Sequence, residues 1–127
     1  AKDKYPDSKS DLFAIFIERG FELNKDFGFN AMVTMQSWMF LSSYEALRMK
    51  ILHQSSIECM THMGNGVMGI AFGTAATVCK KGGSPLTLGA YCYVENDDIG
   101  DDDKPKQFPP LNERNLNAAK QSKSHAQ

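Results

Sequence analysis

The sequence predicts an α/β fold in which helices alternate with strands and an antiparallel pair closes one edge of the sheet. Three observations carry that expectation. Apolar residues recur at helical spacing over residues 10–25; short apolar, partly β-branched runs of strand length occur at 29–35, 56–60, 74–79 and 86–94; and glycines and prolines punctuate them. At 127 residues there is room for one core. Hydrophobic residues at 42% and charged residues at 23% are ordinary globular usage, so the chain is expected to fold.

In chain order, Leu12, Phe13, Phe16, Ile17 and Leu23 mark an amphipathic helix over residues 10–25, with Asp11 in its first turn and Lys25 in its last. Gly28 stops it. Residues 29–35 (FNAMVTM) read as a short buried strand. Ser42-x-x-Glu45 has the form of a capping box, and a helix over 43–52 should bury Leu47 and Ile51. Residues 56–60 are a second strand, and the glycine-rich stretch 64–69 behind it is a loop. Residues 74–79 and 86–94 read as a hairpin joined through Lys80-Lys81-Gly82-Gly83-Ser84-Pro85. From Glu95 the composition turns acidic and Pro-rich, the mark of a solvated linker. The end, from Asn115 on, is polar and reads as a frayed helix or disorder. The organisation is thus 1–94 as the folded part and 95–127 as linker and polar tail.

The net charge of −1, from 14 Lys plus Arg against 15 Asp plus Glu, is a poor match for a phosphate backbone, so the chain by itself should not hold DNA. Cys59, Cys79 and Cys92 are odd in number, widely spaced and set among small or apolar residues, as buried thiols in a reducing cytoplasm would be. No stretch approaches the roughly 18 apolar residues of a membrane span, and no export signal opens the chain. Ala1 stands where an initiator methionine would, in the approach to a helix, and the chain is read as an excerpt or truncated product.

Several motifs fail on context. Gly64-Asn65-Gly66-Val67-Met68-Gly69 matches the dinucleotide fingerprint, but a strand-like run follows it instead of a phosphate-facing helix, and the first acidic residue downstream is Glu95. A connecting or active-site loop is the better reading. Aligning Gly100 with the EF-hand glycine puts Ile99 and Lys106 where oxygen ligands belong. Cys59-x-x-His62 lacks a second pair for zinc and reads as a core cysteine beside a surface histidine. Ser37, His53 and His62 have no nucleophile elbow around them. The seven methionines fall mainly in apolar segments and read as core filling. No metal site and no catalytic residue is assigned.

The segments KSDLFAIFIER (9–19) and AMVTMQSWMFLSSYE (31–45) with Leu47-Arg48 closely resemble the BREX-type adenine-specific DNA methyltransferases. The likeness continues through THM (61–63), GIAFGT (69–74), YVE (93–95), Lys104-Pro105, FPP (108–110) and NER (112–114), and ends near Asn115. It implies the C-terminal half of a class I S-adenosylmethionine-dependent methyltransferase sheet, with 29–35 as its fifth strand and the segments from 56 and 74 as its last strands. It implies a parent that methylates adenine N6 in a specific DNA site, in phage defence or restriction-modification. The family's donor-binding glycine loop and its Asn-Pro-Pro-Tyr motif do not occur here: Pro109-Pro110 is flanked by Phe108 and Leu111. The parent would use S-adenosylmethionine and DNA, whereas this chain alone would bind no cofactor, be inactive and form a homo-oligomer. Within the resemblance Phe72 is the position that stacks on the extruded adenine, or else a strand-edge core phenylalanine. Asp11, Leu12 and Phe13 would lie near the donor, or else simply start a helix. A stand-alone interaction module derived from a mobile element is the competing reading, and a small nucleotide-binding protein using residues 64–69 a third.

Overall fold

The computed structural model describes residues 4–8, 11–84 and 86–124; Ser10, Pro85 and the last three residues of the expected elements lie outside these. Helix α1 (Leu12–Leu23) forms where the spacing places it. The stripe it buries is Ala14, Ile17 and Phe21, with Phe13 half-buried beside them, while Leu12, Phe16 and Leu23 are exposed. This helix is apolar on two faces, and periodicity alone does not choose between them.

Strand β1 (Phe29–Met35) has the expected limits but is not buried. Asn30, Met32 and Thr34 turn inward, and Phe29, Ala31, Val33 and Met35 are exposed. Helices cover one face of the strand only, so alternate residues stay in solvent. Two short 3-10 turns, Gln36–Met39 and Ser42–Tyr44, lead into α2 (Glu45–Gln54). The expected capping box does not form, because α2 begins at Glu45 itself and leaves Ser42 outside the helix. Leu47 and Ile51 are buried as expected.

Strands β2 (Ser55–Met63), β3 (Thr74–Lys81) and β4 (Ala90–Val94) complete a sheet of order β1-β3-β2-β4. Strand β3 is antiparallel to both β1 and β2, and β4 is parallel to β2, so β1, β2 and β4 point the same way. The antiparallel hairpin is therefore made by β2 and β3 across the glycine-rich loop, not by β3 and β4. The turn chemistry after Lys80 is real, with Gly82 at φ 67°. Both edges of β3 are already taken, however, and β4 must cross to the free edge of β2.

A register shift between Ile57 and Cys59 marks a bulge in β2. It places Ile57 and Met60, three residues apart, on the same core, and leaves Cys59 exposed. Cys79 is buried and Cys92 half-buried. Among the methionines, Met32, Met39 and Met60 pack half-buried on the core, whereas Met35, Met49 and Met68 are exposed. The core itself is Ala14, Ile17, Phe21, Trp38, Tyr44, Leu47, Ile51 and Cys79. Trp38 is fixed by its indole N–H, which donates to Thr34 Oγ1 at 3.0 Å.

Beyond β4, a 3-10 turn (Asn96–Asp98) closed by Glu95 and Asp98 leads through an exposed loop to α3 (Glu113–Ser124). The start of α3 is held on β4 by two asparagines. Asn115 accepts from Tyr93 N at 2.8 Å and donates to Tyr93 O at 2.9 Å and Pro110 O at 2.8 Å. Asn112 donates to Tyr93 O and to Asp98 Oδ2, each at 2.8 Å. An asparagine carboxamide here takes the place of a neighbouring strand's peptide group. No helix of the described residues is long and apolar enough to cross a membrane.

Candidate functional site

The three parallel strands end in register, Met35 and Met63 both facing Thr74 at the start of β3, and Val94 beside Met63. In open α/β sheets, the edge at the carboxyl ends of the strands is where ligands gather. Loops of this chain crowd that edge. Gly64 N donates to Val94 O at 2.9 Å, Gly66 N to Ile70 O at 2.9 Å and Gly69 N to Gly66 O at 3.2 Å. Gly66 and Gly69 adopt φ of 85° and 66°, conformations that favour glycine. Val67 anchors the loop by burial. Because these amides are spent within the loop and on the end of β4, and β3 instead of a helix follows, the G-x-G-x-x-G spacing here serves a turn and lacks the helix N-terminus that would face a pyrophosphate.

Phe72 lies in this loop one residue before Gly73, 46% exposed, and so is not a core side chain. Next to it, Gln36 joins β1 to the loop: its backbone N donates to Gly73 O at 3.0 Å, and its side-chain oxygen lies 2.6 Å from His62 Nε2. The imidazole meets Phe40 at 5.7 Å between ring centroids and the edge of Tyr93 at 4.8 Å. The Arg114 guanidinium covers the Tyr93 ring at 4.1 Å. Burial, and secondarily the charge of Arg114, holds His62 below its ordinary pKa. Sequence spacing gave no signal for this row. Gln36, His62, Tyr93 and Arg114 come from four separate segments, and only the sheet register joins them.

Asp11, Leu12 and Phe13 come to the same edge. Asn30, near the start of β1, donates to Ile17 O, while Tyr44, in the turns after the end of β1, donates its hydroxyl to Asp11; α1 thus runs antiparallel to β1. Phe13 packs against Tyr44 at 5.8 Å between centroids. Burial and the Asp11 carboxylate push the Tyr44 phenol up to about 12. Leu12 is exposed. With the Asp11 carboxylate engaged by Tyr44 and Phe13 facing the core, these residues do not by themselves enclose a methyl donor.

Other pairings are separated. Cys59 and His62 are three apart on a strand, with the cysteine exposed and the histidine half-buried, the reverse of the expected order. His53 ends α2 beside the start of β2, at the opposite end of the sheet from His62 and Ser37. No group of three His, Cys, Asp or Glu residues among the described residues is arranged to hold a metal.

Comparison with known proteins matches the chain to methyltransferases. The chain is 44% identical over 119 residues to the adenine-specific methyltransferase BrxX of Escherichia coli O9:H4 (strain HS), covering 91% of this chain and 10% of that protein. It is 42% identical over 91 residues to the adenine-specific methyltransferase PglX of Lacticaseibacillus casei (strain Zhang), covering 68% of this chain and 8% of that protein. The chain therefore spans about a tenth of the length of these curated relatives. A solved Listeria monocytogenes structure, described as a class I S-adenosylmethionine-dependent methyltransferase, superposes with a TM-score of 0.55 at 14% identity, over 65% of this chain and 26% of that one. At that identity the likeness is one of fold, and the mixed four-stranded sheet with its hairpin is of the class I methyltransferase kind that the sequence predicts. The family model for the Eco57I restriction-modification methylase matches residues 1–68, more than half of the chain, and the protein belongs to that family.

Proposed function

We propose that this chain is the second half of the catalytic domain of a BREX-type DNA methyltransferase, which transfers a methyl group from S-adenosylmethionine to adenine N6 in a specific DNA site. The observation that carries the reading is the pair of adenine-specific methyltransferases matched at 42–44% identity. The exposed apolar residues of α1 (Leu12, Phe16, Leu23) and of β1 (Phe29, Val33, Met35) support it, since they form a helix face and a sheet face left open among the described residues, and β1 lies at the edge of the sheet. In the parent, preceding segments cover the faces and a preceding strand pairs with the edge. Alone, the chain binds no donor, transfers no methyl group and pairs with a second copy through the open β1 edge. The parent's partner is DNA and its compartment the cytoplasm, where it serves phage defence.

The role of this chain's own residues is to receive the base. An adenine N6 inside the duplex must be extruded before it reacts. Phe72, half-exposed on a loop tied down at both ends, offers a stacking face worth about 1 to 3 kcal/mol per base. Asp11, Leu12 and Phe13 flank the donor.

The test replaces the matching segment of the full-length Escherichia coli relative with this chain and measures N6-methyladenine in DNA. Methylation is expected, slowed roughly tenfold by Phe72→Ala with donor affinity unchanged. A soluble chimera that binds S-adenosylmethionine but methylates nothing overturns the reading. The isolated chain is titrated calorimetrically with the same donor, and saturable micromolar binding would refute the claim that it lacks a donor site.

A further inference from the structure

We infer that Gln36 and His62 are positioning residues that set the direction of Phe72, acting through a notch at Gly73. The inference rests on the reading of Phe72 as the stacking residue. A side chain on a loop presents a useful face only if the backbone beneath it is held. The first part of the loop is held by its own turns and by buried Val67. Its second part, through Ala71 and Phe72, returns to the sheet at Gly73, whose carbonyl accepts from Gln36 N at 3.0 Å.

The Gln36 carboxamide occupies the space that a Cβ on Gly73 would need, so the two segments are in contact with no room for a side chain between them. A Cβ here would force the Gln36 carboxamide to move. The oxygen of the same carboxamide is 2.6 Å from His62 Nε2. His62 cannot swing away, because Phe40 and Tyr93 hold its ring, and Tyr93 is itself held by Asn115 and covered by Arg114. The row thus runs from α3 across β4 and β2 to the residue beside Phe72. None of its members needs to touch substrate: each fixes the next.

Two experiments separate this proposal from the reading beneath it. In the chain itself, exchange of the amide at position 36, which donates to Gly73 O at 3.0 Å, is expected to rise about fivefold in Gln36→Ala and in Gly73→Ala as that one hydrogen bond is weakened, with exchange in α2 unchanged. Unchanged exchange of that amide overturns the proposal, and so does an equal rise throughout the chain. In the chimera, base extrusion is read by the fluorescence of 2-aminopurine at the target position. Gln36→Ala and His62→Leu are expected to lower it as Phe72→Ala does, to add nothing on a Phe72→Ala background, and to leave donor affinity unchanged. His62→Gln, which retains an N–H in place of Nε2, should restore most of the signal. If Phe72→Ala alone changes nothing, the stacking role of Phe72 is wrong. If Phe72→Ala lowers the signal while Gln36→Ala and His62→Leu do not, or their effects add to it, the positioning role is wrong and the stacking role stands.

Discussion

Replacing Asn115 with alanine should show whether the tail belongs to the fold. The side chain makes three hydrogen bonds of 2.8 to 2.9 Å, accepting from Tyr93 N and donating to Tyr93 O and Pro110 O. Each is part-buried, and a typical intramolecular hydrogen bond contributes about 0.5 to 1.5 kcal/mol net. Because water reaches the Tyr93 groups once α3 lifts away, the lower half of the range applies, and the three together give about 2 kcal/mol. The Arg114–Tyr93 contact, lost at the same time, adds roughly 0.5 kcal/mol. With a urea slope of about 2 kcal/mol/M, the unfolding midpoint should fall by about 1 M. Asn115→Asp should be worse than Asn115→Ala, since it retains the acceptor for Tyr93 N but turns a carboxylate oxygen toward two carbonyls. The assay is urea denaturation followed by Trp38 fluorescence, with hydrogen exchange at Tyr93 as the local probe. An unchanged midpoint together with unchanged Tyr93 exchange would refute the reasoning and make residues after Glu95 a passive linker.

Leu47→Ala, at a position with no exposure, should cost about 3 kcal/mol by the cavity it leaves, whereas Leu88→Ser, 98% exposed, should cost almost nothing; thermal melts compare the two. A thiol reagent should label exposed Cys59 first, while Cys79, pushed up to about 11 by burial, should react only on unfolding, as mass spectrometry of timed samples can show. His62 is held below 6.5, so the unfolded chain binds its proton more readily. Stability should be full above that value and decline as pH falls through it toward the lower folded value. Urea midpoints at about pH 7.5 and about pH 5.5 should differ by less in His62→Gln. Val33→Lys puts a charge on the exposed face of the edge strand and should shift the chain toward monomer in light scattering; an unchanged dimer would show that copies do not pair through β1.

The residues alone determined the elements: α1, the limits of β1 at Phe29 and Met35, and the burial of Leu47 and Ile51 follow from local spacing and turn residues. The resemblance of the Met35 to Glu45 block was also legible, and the structure shows what that block does in the fold. Trp38 and Tyr44 both anchor the core there, and Gln36 leaves the sheet toward the candidate site. Tertiary structure alone decided three things. The pairing partner of β4 depends on which strand edges are already occupied, which no turn sequence encodes. The exposure of Cys59 depends on a one-residue bulge, which exchanges the faces of a strand without changing its composition. The row from Arg114 through Tyr93 and His62 to Gln36 and Gly73 depends on register across three strands, because residues up to 37 positions apart become neighbours only when the sheet is assembled.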